Sequence, residues 1–579
     1  MEKLEKDEMQ KMQRHSMAHV LAKALTELYP SVKLTIGPAI DDGFYYDIDL
    51  DKSITVDDFK QIEEKMTEIL KRDEAFIRKE ITKADALKMF ANNPYKCEII
   101  NELPDDEVIS IYYLGEDFVD LCRGPHVEST KYLRGFAFKL NKVSGAYWRG
   151  DAKNKMLQRI YAYGFMDKAD LKEHVRRLEE ALKRDHRKLG KELGLFFISE
   201  FSKGMPTYMP KGLTLKNELI RYWREVHQRA GYIEIETPMA MNRQLWETSG
   251  HWDHYKDNMY TFSCEDDVFA IKPMNCPGGM LYYMQNQHSY KEFPLRVGEL
   301  GKVHRHEASG TLSGLLRVRC FTQDDAHIFM LPSQIESEIA NVMKLIDEVY
   351  STFGLTYTVE LSTMPENHIG EISEWQVAET ALANALTNLN LDYKINAGDG
   401  AFYGPKIDIH VKDCIGREWQ CGTIQLDMQL PKRFDLKYID VDGVEKEPIM
   451  IHRVIYGSLE RMMSILIENF AGAFPTWLAP TQVKILTIAE KFNDYAEKVK
   501  NALIEAGVRV EIDNRNETIG KKIREAQLEK IPYSLIVGEK EEADGLVAVR
   551  KRSVGDLGAK SLDEFISEIS EEIRTKKLN

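Results

Sequence analysis

Apolar residues near the start of the chain recur at helical spacing. Four such positions, Val20, Leu21, Ala24 and Leu25, lie between Ser16 and Leu28. Pro30 follows, so we predict a helix that begins near Ser16 and ends before this proline. A second helix is predicted over 57–72, where the apolar positions are Phe59, Ile62, Met66, Ile69 and Leu70. The stretch 105–147 contains short apolar runs that are typical of strands, namely VISIYYL, FVDLC and FAFKL.

Residues 167–193 differ from the sequence on either side of them. They are charged, rich in helix formers and free of proline, which predicts one long and largely exposed helix joining two domains. Its polar face has two interpretations. The charges either form ion pairs along a solvated helix, or the lysines and arginines also contact a polyanion.

The rest of the chain divides into two further regions. Residues 194–479 begin with the amphipathic helix LTLKNELIRYWREVHQRAG, which ends at Gly231, and then the strand YIEIETPMAM, which contains Pro238. After Pro480, strands and helices alternate in VKILTI, YAEKVKNALIEAG, VRVEID, GKKIREAQLEKI and YSLIVG. This alternation predicts a small α/β domain with a partly parallel sheet. The predicted boundaries are therefore 1–166, 167–193, 194–479 and 480–579.

Composition narrows the class of protein. Of 579 residues, 43% are hydrophobic and 30% are charged, which is typical of a soluble globular protein. No apolar run approaches the ~18 residues of a membrane span, and the charged N-terminus does not resemble a secretory signal. Seven scattered cysteines favour a reducing compartment, so we expect a cytoplasmic protein. The net charge of −15 disfavours a nucleic-acid coat protein but permits RNA binding through local basic patches.

Arginines are the best candidates for holding phosphate groups. The chain has neither a P-loop nor a glycine-rich dinucleotide motif, so a nucleotide would need another cradle. Residues 304–329 place Arg305, Arg317 and Arg319 in a strand–loop–strand pattern, with Glu307 and Phe321 close by. A single arginine there is usually a surface ion pair. Three around one hairpin, with an aromatic residue, indicate a site for an anion and a base.

Several motifs resemble those of class II aminoacyl-tRNA synthetases. The helix–strand segment ending at Pro238 is similar to motif one, HRHE with RVRCF to motif two, and GSLERMMSIL to motif three. The stretches KPMNCPG, FTQDDAH, FYGPK, WQCGTIQLD and IHR narrow the resemblance to the threonyl-tRNA synthetase family. The similarity extends from about Arg14 to the C-terminus.

The resemblance implies a multidomain α/β and α+β protein. The expected parts are an N-terminal α+β editing domain, a class II antiparallel-sheet catalytic core and a C-terminal α/β anticodon-binding domain. The implied enzyme is a homodimer that activates L-threonine with ATP and transfers it to tRNA(Thr). The ubiquitin-like domain that usually begins bacterial members is expected to be missing. Gly279, His306 and Ala308 depart from the residues usual in the motifs.

The resemblance also implies one zinc ion per chain. Its ligands would be Cys276, His327 and His452, a set that no spacing rule would select. The open positions on the ion would take the amino and hydroxyl groups of threonine. The residues expected to contact threonine are Asp325, Gln323, Tyr403 and Arg305.

The remaining expectations for the catalytic core concern the binding of ATP together with Mg²⁺. The residues expected to bind ATP are Arg305, Glu307, Arg317, Phe321, Gln420, Thr423 and Arg461. Lys406 joins Arg305 and Arg461 as a catalytic candidate, and His251 is a candidate for moving a proton during transfer to tRNA.

A second, hydrolytic site is expected because serine differs from threonine by one methyl group, which gives poor discrimination. On spacing alone, His15 with His19 and Cys122 with His126 form two pairs that look like metal ligands. In the family, this set instead lines a hydrolytic pocket without a metal, and Asp120 is expected to orient a histidine or the water. A purely structural role is the third alternative. In the C-terminal domain, the candidates for anticodon contacts are Asn516, Glu541, Arg515 and Arg550.

Two other functions compete with the synthetase interpretation. A zinc hydrolase would not need the arginines of motifs two and three. A catalytically silent RNA-binding paralogue would not need to retain Arg305, Arg461 and all three candidate zinc ligands.

Overall fold

The computed structural model describes residues 2–105, 107–151, 153–413 and 416–578. The chain divides into two compact units, Met1–Glu179 and Glu180–Asn579. Among the described residues, no helix combines the length and apolar character that crossing a membrane requires.

The N-terminal unit combines helices with two antiparallel sheets. Its helices are α1 (Glu2–Leu28), α2 (Phe59–Lys71), α3 (Lys83–Met89), α4 (Pro94–Glu102) and α5 (Lys168–Arg184, which crosses the boundary between the units). Its strands are β1 (Lys33–Leu34), β2 (Ala39–Ile40), β3 (Gly43–Asp49), β4 (Phe76–Ile81), β5 (Ile109–Leu114), β6 (Phe118–Leu121), β7 (Ala137–Tyr147) and β8 (Met156–Phe165). One sheet has the order β1-β3-β8-β7, with β2 on β3, and the other is β4-β5-β6.

The apolar stripes of α1 and α2 pack with strand residues in the main core of this unit. All five predicted stripe residues of α2 are buried, as are Val20, Leu21, Ala24 and Leu25 of α1. The helix α1 begins at Glu2, however, so the prediction of a start near Ser16 is wrong. Glutamate, lysine, methionine and glutamine are strong helix formers, and they extend the helix beyond the segment that the core requires.

The connecting region is not one helix, contrary to the prediction. The helix α5 ends at Arg184 and α6 (His186–Glu192) begins two residues later. Asp185 between them has φ −49° and ψ 119°, and its carboxylate accepts a hydrogen bond from the backbone N–H of Arg187 at 2.8 Å. An aspartate in this N-cap conformation starts a new helix. The predicted exposure of α5 is confirmed, because none of its residues is buried.

The C-terminal unit contains the larger sheet. Its helices after α6 are α7 (Pro210–Arg229), α8 (Arg243–Thr248), α9 (His251–Tyr255), α10 (Cys276–Tyr283), α11 (Ile335–Phe353), α12 (Ile372–Asn388), α13 (Leu430–Arg433) and α14 (Leu459–Asn469). The strands of this region are β9 (Phe196–Ile198), β10 (Pro206–Tyr208), β11 (Ile233–Glu234), β12 (Ala240–Asn242), β13 (Tyr260–Cys264), β14 (Asp267–Ile271), β15 (His288–Ser289), β16 (Leu295–His304), β17 (Cys320–Met330), β18 (Tyr357–Ser362), β19 (Tyr393–Asn396), β20 (Lys406–Lys412), β21 (Glu418–Asp427), β22 (Tyr438–Ile439), β23 (Glu445–Lys446) and β24 (Ile449–Val454).

The main sheet has the order β11-β16-β17-β24-β21-β20-β18-β19 and is antiparallel except at its two edges. The helices α11 and α14 contribute buried residues to the same core as this sheet. The strand predicted over 232–241 is wrong as one element. The strands β11 and β12 belong to different sheets, and Pro238 lies between them, where it cannot donate a ladder hydrogen bond.

The last hundred residues form a small α/β fold, as predicted. Its strands are β25 (Val483–Thr487), β26 (Val510–Asp513), β27 (Tyr533–Val537), β28 (Leu546–Lys551) and β29 (Gly555–Ser561), and its helices are α15 (Asn493–Glu505), α16 (Ile519–Leu528), α17 (Glu539–Asp544) and α18 (Leu562–Arg574). The pairs β25/β26 and β25/β27 are parallel, and β27 to β29 are antiparallel. The partly parallel sheet is therefore confirmed.

Candidate functional site

Strand register places the key polar residues on one face of the main sheet. Gln323, Asp325 and His327 alternate along β17, so their side chains share a face. His327 pairs directly with His452 on β24, which in turn pairs with Gln425 on β21. Residues far apart in the chain thus form one row across three strands.

Cys276, His327 and His452 form a cluster that could hold a metal ion. Their donor atoms all lie within 4.8 Å of one another, and all three residues are buried. Among the described residues, Nε2 of His327 has no hydrogen-bond partner. A buried thiol and two imidazoles, one with an unsatisfied nitrogen, are a fitting donor set for a metal such as zinc.

Burial controls the protonation of these ligands in the absence of a cation. It raises the pKa of Cys276 well above its ordinary value and lowers the pKa of His327 to about 4. His327 is therefore neutral near pH 7, with a lone pair available for a cation. A bound cation would favour the thiolate form of Cys276.

A cavity of about 660 Å³ opens beside this cluster. Most of the predicted site residues line it, namely Cys276, Arg305, Glu307, Arg317, Phe321, Gln323, Asp325, Tyr403, Gln420, Thr423, His452 and Arg461. The sequence-based candidates Lys406, His251 and His327 lie outside this lining. The structure therefore brings the predicted threonine, ATP and metal residues to one place.

Three polar side chains surround the inner part of the cavity. Oδ2 of Asp325 accepts a hydrogen bond from Nδ2 of Asn275 at 3.2 Å, and the hydroxyl of Tyr403 donates to Gln425 at 2.6 Å. Oε1 of Gln323 is buried without a hydrogen-bond partner in the described part of the chain. An unpaired buried acceptor is costly unless a ligand supplies the donor. Sequence reasoning missed Asn275 and Gln425, although Asn275 lies in the motif KPMNCPG and Gln425 lies in WQCGTIQLD.

Arginines line another part of the cavity wall. The guanidinium of Arg305 lies 5.2 Å from the ring centre of Phe321 and donates to the carbonyl of Pro273 at 3.1 Å. Arg461 donates to the carbonyls of Leu316 and Gln420, and burial lowers its pKa.

The other two arginines of the hairpin differ in their contacts. Arg317 pairs with Glu307 at 2.8 Å and is half exposed. Arg319, which the sequence also suggested, donates to the carbonyl of Glu307 instead and does not line the cavity.

Asp408 organises a further group of predicted residues. Its carboxylate accepts hydrogen bonds from Gln420 at 2.5 Å and Thr423 at 3.2 Å, and it pairs with Lys406 at 2.8 Å. Burial lowers the pKa of Lys406, but its ion pairs with Asp408 and Asp399 outweigh that effect and raise it overall. Sequence reasoning missed Asp408. The alternation of KIDIH after FYGPK places it on the same face as Lys406 and could have indicated it.

His251 is fully buried behind the metal-capable cluster. Its Nδ1 lies 2.8 Å from the hydroxyl of Ser249, and its Nε2 lies 3.1 Å from the sulfur of Met274 and 3.7 Å from that of Cys276. Burial lowers the pKa of His251 to about 3, so the ring is neutral near pH 7. Its role in moving a proton stays a prediction.

The departures from the family motifs fit their surroundings. A Cβ atom added at Gly279 would lie 3.1 Å from Nδ1 of His327, so glycine leaves room for that ring. His306 packs its ring edge-on against Tyr260, and its backbone N–H donates to Asn258 at 2.8 Å. Neither His306 nor Ala308 lines the cavity.

A second cluster lies in the N-terminal unit. His15 and His19 project from α1 towards Cys122 and His126, and the four donor atoms lie within 4.8 Å of one another. The sulfur of Cys122 is 3.3 Å from Nε2 of His15 and 3.2 Å from Nε2 of His126. Burial lowers the pKa of all three histidines and raises that of Cys122 to about 11. The two sequence pairs therefore form one site.

Asp120 lies next to this second cluster. Its carboxylate contacts Lys96, the hydroxyl of Tyr46 and the backbone N–H of Leu121, and lies 3.9 Å from Nε2 of His19. Only 2% of Asp120 is exposed, so its charge is held within the protein. Sequence reasoning missed Lys96 and Tyr46, which come from a different helix and strand.

The four anticodon candidates lie in different elements of the C-terminal fold: Arg515 and Asn516 in the loop before α16, Glu541 on α17, and Arg550 on β28 between β27 and β29. Arg515 forms ion pairs with Asp513 at 2.6 Å and Glu525 at 2.5 Å, and Arg550 lies 3.4 Å from Asp556. Glu541 accepts a hydrogen bond from the backbone N–H of Gly538, and Asn516 is exposed. The acidic partners of both arginines compete with any RNA phosphate. Anticodon contacts through these residues stay predictions.

Comparison with known families identifies three regions of the chain. Residues 260–470 match the tRNA synthetase class II core domain (G, H, P, S and T), and 482–572 match an anticodon binding domain. Residues 109–161 match the threonyl and alanyl tRNA synthetase second additional domain.

Full-length relatives extend the similarity over almost the whole chain. The threonine–tRNA ligase of Clostridioides difficile (strain 630) is 59% identical over 577 residues, covering 99% of this chain and 90% of the relative. That of Clostridium tetani is 58% identical over 569 residues, or 98% of this chain and 89% of the relative.

Solved structures agree with this similarity. The RNA binding domain of a threonyl-tRNA synthetase from Cryptosporidium parvum matches with a TM-score of 0.66 and 42% identity, covering 67% of this chain and 98% of that one. A putative threonyl-tRNA synthetase from Aeropyrum pernix matches with a TM-score of 0.60 and 29% identity, covering 68% and 97%.

Proposed function

The chain belongs to the threonine–tRNA ligase family, and we propose that it joins L-threonine to tRNA(Thr) in two steps. In the first step, a carboxylate oxygen of threonine attacks the α-phosphorus of ATP and pyrophosphate leaves. In the second, a hydroxyl of the terminal adenosine of the tRNA attacks the threonyl carbonyl and AMP leaves. The observation that carries this proposal is the single cavity lined by Cys276, His452, Asp325, Arg305 and Arg461.

Zinc is the metal we assign to the cluster of Cys276, His327 and His452. When bound, the ion supplies coordination for the amino and hydroxyl groups of threonine. Asp325, which lines the same cavity, accepts the hydrogen bond of the substrate hydroxyl. Valine has the same shape but lacks that hydroxyl, so it would leave the buried polar groups unpaired and would be rejected strongly.

The arginines perform the electrostatic part of activation. Arg305 stabilises the charge that develops on the α-phosphate, and Phe321, whose ring lies under this guanidinium in the same cavity, packs against the adenine. Arg461 covers the opposite face of adenine, and Arg317 and Glu307 hold the phosphate tail with its Mg²⁺. No protein nucleophile takes part, because orientation and charge stabilisation are sufficient for this displacement.

Gln420 and Thr423 bind the nucleotide in an arrangement set by Asp408. Because both side chains are already hydrogen-bonded to this buried carboxylate, their orientation is fixed before ATP arrives. Lys406 neutralises Asp408 and keeps the buried charge paired.

The N-terminal cluster hydrolyses the ester bond that joins serine to tRNA(Thr) when serine has been attached in error. Neutral histidines can accept a proton from water, and Cys122 and His126 can orient the ester. The compact set of three imidazoles and one thiol also suits a metal ion, so a metal-dependent hydrolysis is the alternative. The effect of a chelator on hydrolysis distinguishes the metal-independent from the metal-dependent mechanism.

The C-terminal fold binds the anticodon region of tRNA, and two copies of the chain form a homodimer in the cytoplasm. Apolar side chains on and near the motif-one segment support the dimer. Leu213, Ile233 and Met239 are each more than 40% exposed in the isolated chain.

Threonine-dependent exchange between ATP and pyrophosphate tests the proposed function. We expect exchange with threonine, at least ten-fold less with serine and none above background with valine. Arg461→Ala should lose exchange by at least about a hundred-fold because it removes a partly buried positive charge from the nucleotide site. Arg574→Ala, an exposed residue of α18, is the matched control. Absence of exchange in the zinc-loaded wild type would favour a hydrolase or a silent RNA-binding protein.

A further inference from the structure

His186 connects three parts of the C-terminal unit through a buried ring. It is the first residue of α6, and only 1% of it is exposed. Its Nδ1 lies 2.7 Å from Oε1 of Glu468 at the end of α14, and its Nε2 lies 3.0 Å from the backbone nitrogen of Leu315. The ring therefore joins α6, the motif-three helix and the loop between β16 and β17.

These contacts require one tautomer of the ring. The backbone N–H of Leu315 can only donate, so Nε2 must carry a lone pair. The proton then resides on Nδ1, where it donates to the carboxylate of Glu468. A neutral ring with its proton on Nδ1 satisfies both neighbours, and a side chain without an acceptor leaves the buried N–H of Leu315 unpaired.

Gly314 makes the contact sterically possible. It has a positive φ of 50°, and a Cβ atom at this position would lie only 2.1 Å from Nε2 of His186. Any other residue would displace the ring or the loop. The ring of His186 therefore fits only because residue 314 is a glycine.

The loop held by His186 carries a predicted nucleotide contact. Ser313 and Arg317 close a turn through two backbone hydrogen bonds of 3.1 and 3.3 Å, with Leu315 inside it. Next to Leu315, the carbonyl of Leu316 accepts a hydrogen bond from Arg461 at 3.2 Å. The turn is therefore anchored at two successive residues, Leu315 by His186 and Leu316 by Arg461.

We infer that His186 is a positioning residue for ATP binding, which acts by fixing the turn 313–317 so that Arg317 faces the cavity. The inference rests on the proposed function, because it assigns Arg317 to the phosphates of ATP. His186 touches neither substrate, and Arg317 and the backbone of the turn transmit its effect. Because His186 directly follows the break between α5 and α6, the end of the connecting region at α6 supports the nucleotide site without lining it.

Substitutions of His186 that either keep or remove a hydrogen-bond acceptor for the N–H of Leu315 test this role. Leucine has similar bulk but cannot hydrogen-bond, whereas a glutamine amide can donate to Glu468 and accept from Leu315. In ATP–pyrophosphate exchange, we expect His186→Leu to raise the KM for ATP about ten-fold or more while leaving the KM for threonine unchanged. His186→Gln should stay within about three-fold of wild type, because it restores both hydrogen bonds. Lys188→Ala, an exposed neighbour on α6, is the control.

Gly314 gives an independent test that does not depend on one variant folding. Gly314→Ala should raise the KM for ATP as His186→Leu does, because its Cβ displaces the ring. In a His186→Ala background the contact with the ring is gone, and only the contact with Cγ of Arg187 at 2.8 Å and the positive φ remain. Gly314→Ala should therefore raise the KM for ATP by a smaller factor in that background than in the wild type. Amide hydrogen exchange at Leu315 is a measurement that does not depend on enzyme activity. Its rate should be higher in His186→Leu than in the wild type or in Lys188→Ala.

The outcomes separate this inference from the proposed function. If the wild type exchanges pyrophosphate but His186→Leu has the wild-type KM for ATP, the inference is overturned and the proposed function stands. Equal increases in the KM for both substrates, or failure of glutamine to rescue, would indicate a merely structural histidine and also overturn it. A wild type without exchange activity would overturn the proposed function itself.

Discussion

Nε2 of His452 lies 2.7 Å from Oδ2 of Asp427, and both side chains are buried. The carboxylate accepts a hydrogen bond from this ring nitrogen, which fixes the ring and leaves Nδ1 for another partner. Carboxylate partners of this kind orient metal-binding histidines and raise their basicity. The pairing also gives the buried charge of Asp427 a donor, alongside the backbone N–H groups of Gln429 and Leu430.

Asp427→Asn should weaken metal binding while leaving the three ligands in place. The amide keeps the shape of the carboxylate but loses its charge, so we expect the affinity for zinc to fall by about 10- to 100-fold. Competition with a chromogenic chelator measures this change. Asp435→Asn, whose side chain is largely exposed, is the control. An unchanged zinc affinity would contradict the role of Asp427.

Cys276→Ala should abolish both zinc binding and threonine activation, because the same ligands hold the substrate. The wild type should contain about one zinc ion per chain by elemental analysis, as a three-ligand site predicts. Cys264→Ala changes an exposed cysteine and should leave both properties intact. Full exchange activity in a metal-free preparation would refute the zinc proposal.

Replacing His15 and His19 together with alanine should separate hydrolysis from synthesis. Threonine charging should stay nearly intact, because the altered residues lie in the other unit. Seryl-tRNA(Thr) should accumulate, because the synthetic site rejects serine only weakly. Deacylation of preformed seryl-tRNA(Thr) measures the loss, with Lys11→Ala on the same helix as control.

A chelator distinguishes the two mechanisms of this second site. Hydrolysis by wild type should persist in its presence, since the proposed pocket works through side chains alone. Loss of hydrolysis on chelation, with recovery on adding zinc, would favour the metal-dependent alternative. Unchanged hydrolysis in the double variant would place the pocket elsewhere.

The pKa of Cys122, about 11, predicts slow alkylation at neutral pH. Burial raises this pKa, so the thiol and not the reactive thiolate is present at pH 8. The rate of modification by iodoacetamide should rise about ten-fold per pH unit from pH 7 to 10, since the thiolate fraction does so below the pKa. Peptide-resolved mass spectrometry measures it, with the exposed Cys264 as reference. A rate at Cys122 that levels off by pH 8 would contradict the raised pKa.

The chain should form a symmetric dimer at micromolar concentration, the commonest closed arrangement of identical chains. Light scattering measures its mass, which should be twice the 66.8 kDa of one chain. Met239→Glu would place a charge in the proposed apolar contact and should favour the monomer, whereas Met284→Glu, at an exposed position outside the motif-one segment, is the control. A fully active wild-type monomer would refute this proposal.

Local patterns determined much of the fold. The stripe of α2 and the strands and helices from β25 to β27 follow from spacing within single elements, because each short segment must present one apolar face to a core. The same reasoning failed at the start of α1 and at the break at Asp185. Both are set by capping and helix propensity in charged segments, where no apolar periodicity marks an end.

Sequence motifs by themselves identified the residue types of both sites and the family that uses them. Only the tertiary structure decided which of these residues meet. Strand register places His327 opposite His452, although 276, 327 and 452 are distant in the chain. The structure also revealed Asp408 and His186, which lie outside the quoted motifs, and Asp427, which ends WQCGTIQLD but had no role assigned from sequence. Spacing fixes the face of a residue within its own element, whereas contacts between elements depend on how the whole core packs.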